Sequence, residues 1–345
     1  MSRRRPVARG AAAVLAGVVL LAGCSSTPST PGPVADPGSV PAPVAACTSA
    51  HAVRVTDPAQ LTAALRAAHP GSVISLGPGR YPGNFVATAV GTADQPIALC
   101  GSRAAVLDGG GTDSGYTLHL DGTSHWQLDG FTVRGGQKGV MIDHGRFDTV
   151  QNLLIEGSGD EGLHLRTDST DNLVRSTTIH DTGLHDAKFG EGVYVGTAQS
   201  NWCRISGCGP DRSDRNTIEG NTISRTTAEN VDIKEGTTGG TVRSNIFSGD
   251  GMSAATAWVN VKGNGWTIAG NVGSNSPRDG FQQHQILPGW GLDNTFTGND
   301  AAVNAGGYGI DITVAADHNS VACDNRATNA GRGLSSVTCV GPAPG

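Results

Sequence analysis

Nine side chains recur at equivalent places of one repeated phrase and carry the chemistry available to this chain. They are His164 and Arg166, Tyr194, Asp232 and Lys234, Asn260 and Lys262, and Gln282 and His284. The chain has only four lysines, Lys138, Lys188, Lys234 and Lys262, and two of them end consecutive phrases. Neighbouring cations disfavour one another's charge, so a neutral Lys234 able to act as base is expected, with Lys262 and Arg166 supplying the depression. A base set among cations suits removal of a proton beside a carboxylate. The matching reaction is β-elimination on a uronic-acid polymer: abstraction at C5, then expulsion of the 4-linked sugar. Lys234, Lys262 and His284 are the candidate catalytic residues. His164 and His284 would donate to the leaving oxygen or grip the sugar, and Tyr194, Trp258 or Trp290 would stack on its ring. Arg166, Asn260 and Gln282 complete the substrate-binding candidates. A merely solvated strand face is the plain alternative for this stripe.

The phrases that position these side chains run Gly139-Val-Met-Ile-Asp143, Gly162-Leu-His-Leu-Arg166, Gly192-Val-Tyr-Val-Gly196 and Asn230-Val-Asp-Ile-Lys234, then Trp258-Val-Asn-Val-Lys262, Gly280-Phe-Gln-Gln-His284 and Gly309-Ile-Asp-Ile-Thr313. Positions two and four are almost always apolar, so they point inward, and positions three and five point outward to solvent. Successive phrases start 23, 30, 38, 28, 22 and 29 residues apart. A basic period of about 22 residues with insertions predicts a coil stacked on itself, an all-β parallel β-helix, right-handed, over about residues 70–335. A second phrase places Asn221, Asn245, Asn271 and Asn299 at one recurring position, which predicts a ladder of side-chain amides. A capping helix is expected around Pro58–Ala68.

The ends have a different composition. Arg3, Arg4, Arg5 and Arg9 precede an apolar run from about Ala11 to Leu21, the shape of a signal peptide over residues 1–23. Leu21-Ala22-Gly23-Cys24 resembles a bacterial lipobox. That resemblance implies cleavage before Cys24, lipidation of its sulfur and retention on the extracellular face of the cell membrane. Residues 24–46 are rich in Ser, Thr, Pro and Ala and read as a tether, leaving residues 47–345 as one domain. Six cysteines remain after Cys24, an even number that suggests disulfides without fixing their connectivity. The signal segment takes four of the 24 basic side chains, leaving 20 against 30 acidic ones, a net charge of −10. Nucleic acid is excluded as a natural partner, and a polyanionic sugar requires cations gathered locally. The domain is expected to act as a monomer.

Several segments resemble the chondroitinase-B and alginate-lyase family of polysaccharide lyases. The stretch Val55-Thr-Asp-Pro-Ala-Gln-Leu-Thr-Ala-Ala-Leu-Arg-Ala-Ala-His-Pro-Gly71 leads to Ile74-Ser-Leu-Gly-Pro-Gly-Arg-Tyr81, like that family's capping helix and first strand. Gly190-Glu-Gly-Val-Tyr-Val-Gly196 and Ala228-Glu-Asn-Val-Asp-Ile-Lys234 look like two of its active-site segments, and Asn260-Val-Lys262 falls where the family has Asn-Phe-Arg. The resemblance implies Lys234 as the base and Glu229 as a ligand of calcium that bridges to the substrate carboxylate. Glu191 would be a second carboxylate beside that ion, with Asp232 completing an oxygen donor set.

Other functions fit the same coil. A glycoside hydrolase would need two carboxylates across a cleft, with Asp160, Glu161, Asp186, Glu229 and Asp232 as candidates. A C5-epimerase shares the first step of the elimination. A carbohydrate-binding or cell-envelope scaffold would need no chemistry at all. An acidic polysaccharide is the expected partner in each case but the last.

Overall fold

Period-two alternation and glycine-rich corners give the chain short strands that stack in parallel. The structure, a computed structural model, describes residues 1, 42, 44–315 and 318–341. Every element belongs to the unit Ala35–Gly345. The signal segment, Cys24 and the tether lie outside the described residues, apart from residues 1, 42 and 44–46. No described helix is long and apolar enough to cross a membrane.

Among the described residues the strands form three parallel sheets of 11, 10 and 9 members, and each complete coil gives one strand to each sheet. This is the expected parallel β-helix. Inward positions fill a continuous core: Leu163, Leu165, Val193, Val195, Val231, Ile233, Val259 and Val261 are fully buried. Trp258, offered above as a sugar-stacking ring, is fully buried and packs edge-on against Phe281. It belongs to the core, because the first position of its phrase turns inward where the strand begins early, at Ala257.

The amino-terminal end of the core is covered by the helix Pro58–Ala67. Asp57 caps it by accepting from the Gln60 backbone N–H at 2.8 Å, and Pro58 starts it with its ring-fixed φ. Leu61 and Leu65, one helical turn apart, are buried, each contributing about 1.5–3 kcal/mol. The amide ladder runs as expected: Asn221 donates to Asn245, Asn245 to Asn271 and Asn271 to Asn299, each Nδ2 to Oδ1 at 2.9 Å. It continues to Asn325. The six cysteines pair as Cys47–Cys100, Cys203–Cys208 and Cys323–Cys339. Ahead of the first of these, Val44 is already buried against Ala98 and Cys100.

The interval of 38 residues, the longest between phrases, folds as an insertion after the strand Val193–Val195. It carries the short helix Trp202–Ile205 and rejoins the coil near Asn216. Insertions of this kind lie over the outward face of the nine-stranded sheet, and they change what outward means there.

Candidate active site

The register of the nine-stranded sheet fixes the site. His164 pairs with Tyr194, Tyr194 with Asp232, Asp232 with Asn260, Asn260 with Gln282 and Gln282 with Asp311. Two residues beyond the Asp232–Asn260 pair, Lys262 donates its backbone N–H to the Ile233 carbonyl, which sets Lys262 beside Lys234 on the next coil. The two lysines are therefore neighbours, about 4.8 Å apart in strand spacing.

Their environment differs from the expectation. Asp232 was expected to face solvent but is only 1% exposed. Its carboxylate lies between the two ammonium groups, 2.6 Å from Lys234 Nζ and 2.5 Å from Lys262 Nζ. Burial alone would lower the Lys234 pKa, but the Asp232 charge outweighs it and holds that pKa well above the ordinary lysine value. The reverse applies to Asp232, which the two lysines keep ionised against burial. The expected depression of Lys234 is thus reversed in the resting site. Mutual repulsion of two cations loses to an anion placed between them.

Arg166 does not take part in that cluster. Gly196 occupies the coil between Arg166 and Lys234 in the register of this sheet. At φ 83°, with the Thr237 methyl 2.6 Å from where a Cβ would sit, glycine is required there. Arg166 instead grips Asp143 with Nε at 2.7 Å and Nη2 at 2.9 Å. His119 also reaches Asp143, at 2.9 Å.

Carboxylates gather just before the strands. Glu191 and Glu229 stand on adjacent coils, and the oxygens of Glu191, Glu229 and Asp232 converge within 4.8 Å of one another. Burial, then the charges of Glu161, Asp232 and Glu229, push the Glu191 pKa well up. Glu229 is also raised, first by burial and then by Asp232. Glu191 Oε2 is buried with no partner, while Asn260 Nδ2 donates to Glu229 Oε1. These are the three residues named above as cation ligands.

On the amino-terminal side of the lysines a cleft of about 350 Å³ opens, lined among others by Tyr116, Lys138, Glu161, His164, Arg166 and Tyr194. Tyr194 borders it, with Lys234 Nζ 4.9 Å from the centre of its ring. Burial holds the Tyr194 phenol well above its usual pKa, so it stands protonated. His164 is 5% exposed, donates from Nε2 to the Gly196 carbonyl at 2.9 Å, and packs edge-on against Tyr194. Glu161 is paired with Lys138. Despite burial, His164 and Lys138 bring its pKa down to about 2. The Lys138–Glu161 pair was missed as part of this site. Its signal is that Lys138, Glu161, Glu191 and Glu229 each immediately precede the first residue of a phrase.

The remaining expected residues divide. His284 is half-buried, and burial followed by Lys262 lowers its pKa, favouring a neutral imidazole. Gln282 is 2% exposed, donates to Asp279 at 2.6 Å and lies 3.0 Å from His284 Nε2. Its side chain is thereby placed between Asp279 and His284. Asn260 is likewise buried, against Glu229. Trp290 was expected to stack on a sugar but lies under Arg212, 5.4 Å from the guanidinium carbon, and does not line the cleft. Its place is a loop beyond the strand, so the repeat gave no register for it.

Comparison with known proteins finds chains of the same fold. The structure of an alginate lyase from Paenibacillus sp. str. FPU-7 is 34% identical, with a TM-score of 0.78, over 84% of this chain and 99% of that one. Pectate lyase Pel9A superposes with a TM-score of 0.56 at 15% identity, over 82% of this chain and 75% of its own, a likeness of fold alone. No protein-family model and no curated protein matches the sequence. With its parallel coils and this degree of identity over 99% of the Paenibacillus enzyme, the chain belongs to the parallel β-helix polysaccharide lyases.

Proposed function

We propose that the chain cleaves a uronic-acid polysaccharide of the alginate type by β-elimination, at the junction of the cleft with the Lys234–Asp232–Lys262 triad. The observation that carries this reading is the placement of Lys234 and Tyr194 on adjacent coils beside the cleft, in a chain 34% identical to an alginate lyase. Lys234 takes the C5 proton. It rests as an ammonium, so it must first lose its own proton to solvent. Two ammonium groups share one carboxylate, and departure of one proton leaves Lys262 and Asp232 as a balanced pair. Tyr194, held as a phenol, gives its proton to the departing O4. As the C5–H bond breaks, electrons move into the C4–C5 bond and the C4–O4 bond breaks. Lys262 and neutral His284 flank the reacting sugar on the carboxy-terminal side and offer donors to its carboxylate.

Glu191, Glu229 and Asp232 fit a calcium ion by their chemistry. All three are oxygen donors, and the buried Glu191 Oε2 lacks any partner. When bound, such an ion would neutralise a substrate carboxylate. The reading also includes delivery of the domain to the extracellular face of the membrane by a lipid on Cys24. Incubating the protein with a panel of uronic-acid polymers tests the chemistry. Growth of the ultraviolet absorbance of a C4–C5 unsaturated uronate supports it, and binding without product across the panel rejects it in favour of a scaffold.

A further inference from the structure

The cations around the cleft are almost all committed. Lys138 is bound to Glu161, Arg166 grips Asp143 with two nitrogens, and Lys234 and Lys262 share Asp232. A polyanionic substrate entering a chain of net negative charge would find no free positive charge in any of these groups. Arg204 is the exception. It lines the same cleft, has no carboxylate partner among the described residues, and makes only a long contact to Asn201 Oδ1 at 3.3 Å.

Arg204 does not belong to a coil. It sits on the helix Trp202–Ile205 of the insertion, inside the small loop closed by Cys203–Cys208. That insertion is firmly seated. Trp202 is 8% exposed and donates from Nε1 to the Thr197 carbonyl at 2.8 Å. Buried Asp211 accepts from the backbone N–H groups of Thr167 and Asp168, both at 3.0 Å, and from Thr197 Oγ1 at 2.7 Å. Glu235, next to Lys234, accepts from the Gln199 backbone at 2.7 Å. A guanidinium presented from so fixed a base loses little freedom when it binds an anion. Its planar fork matches a carboxylate through two parallel bonds.

We propose that Arg204 is a specificity-determining residue that holds the carboxylate of a uronate unit next to the one being cleaved, on the Tyr194 side of the triad. The insertion thereby selects chains that carry a carboxylate on consecutive sugars. This inference rests on the reading of the substrate as a uronic-acid polymer.

The test compares the full chain with its Arg204→Ala and Arg204→Lys forms on sodium alginate, together with binding of a uronate hexasaccharide and its methyl-esterified, neutral counterpart. Loss of one charge-assisted contact should raise KM and the hexasaccharide Kd about tenfold for Arg204→Ala, with kcat within about twofold. Arg204→Lys should recover only part of that loss, because the ammonium keeps the charge and not the two parallel bonds, and the neutral hexasaccharide should bind all three proteins alike. The melting temperature should not move, because Arg204 makes no buried contact. Unchanged KM and Kd in Arg204→Ala, with the parent protein active, would overturn the role of Arg204 and leave the lyase reading standing. So would equal weakening toward the neutral ligand, which would mark a packing effect. A parent protein that neither binds nor cleaves any uronate polymer would overturn the substrate reading and this inference with it.

Discussion

Replacing Asp232 with asparagine keeps the shape of the triad and removes the charge that holds it together. Both lysines lose their shared counter-ion, and Lys234 and Lys262 then face one another with side chains only 15% and 10% exposed. Leaving buried charges uncompensated costs about 3–5 kcal/mol. For a domain of about 300 residues that corresponds to a fall in Tm of roughly 5–8 °C. The pH dependence supplies the sharper check. In the parent the folded-state pKa of Lys234 is raised, so its contribution to stability is fully present below the unfolded lysine value and fades only as pH climbs above it. In Asp232→Asn burial and the neighbouring ammonium depress Lys234 instead, so the loss is greatest at neutral pH and shrinks as alkali discharges Lys234. Urea unfolding of both proteins at neutral and alkaline pH measures this. Equal stabilities at neutral pH, or a gap that widens with alkali, would refute the account of the triad.

Other expectations follow from the same structure. Asp148 is buried, and desolvation lifts its pKa to about 7 although Thr123 Oγ1 and the Trp126 backbone donate to it. A raised carboxylate binds its proton more tightly when folded, so it weakens the fold as pH rises from about 4 through 7. Asp148→Asn should therefore gain stability relative to the parent at pH 8 and not at pH 4, by thermal melts at both. If the carboxylates take calcium, millimolar calcium should raise the Tm of the parent, and Glu191→Gln with Glu229→Gln should abolish that rise; an equal rise in the double variant would remove the ion from this place. Cys24→Ala should abolish incorporation of labelled fatty acid in a bacterial host, and retained label would reject lipidation at that residue.

The architecture was legible because each coil repeats one constraint. Val231 and Ile233 are buried, and the Asn221–Asn299 ladder forms, since both depend only on period-two alternation and a fixed corner residue. The adjacency of Lys234 and Lys262 was legible for the same reason, whereas the grouping of Glu191, Glu229 and Asp232 was expected only from the family resemblance. What the repeat did not contain was the state of those groups. Asp232 lies two residues from Lys234 on the same face, a spacing that a strand brings into contact, yet Asp232 was read as a solvent-facing cation ligand and not as the counter-ion of the lysines. The insertion that carries Arg204 to the cleft comes from outside the phrase, whereas the carboxylate that outweighs the repulsion between the lysines stands within it, at Asp232. Arg204 and Trp290 lie on segments outside the phrase, where no register says which way a side chain will point. The only advance signs of the insertion were a 38-residue interval and a close pair of cysteines.

The central claim is that Lys234 performs the proton abstraction, and the direct measurement is formation of unsaturated product from alginate by Lys234→Ala beside the parent, with hexasaccharide affinity measured on both. The parent should generate the ultraviolet chromophore, with kcat/KM rising toward alkaline pH as Lys234 gives up its proton. Lys234→Ala should lose about a thousandfold or more in kcat while hexasaccharide affinity changes by only a few-fold. Product formation by Lys234→Ala at the parent's rate would contradict the mechanism outright.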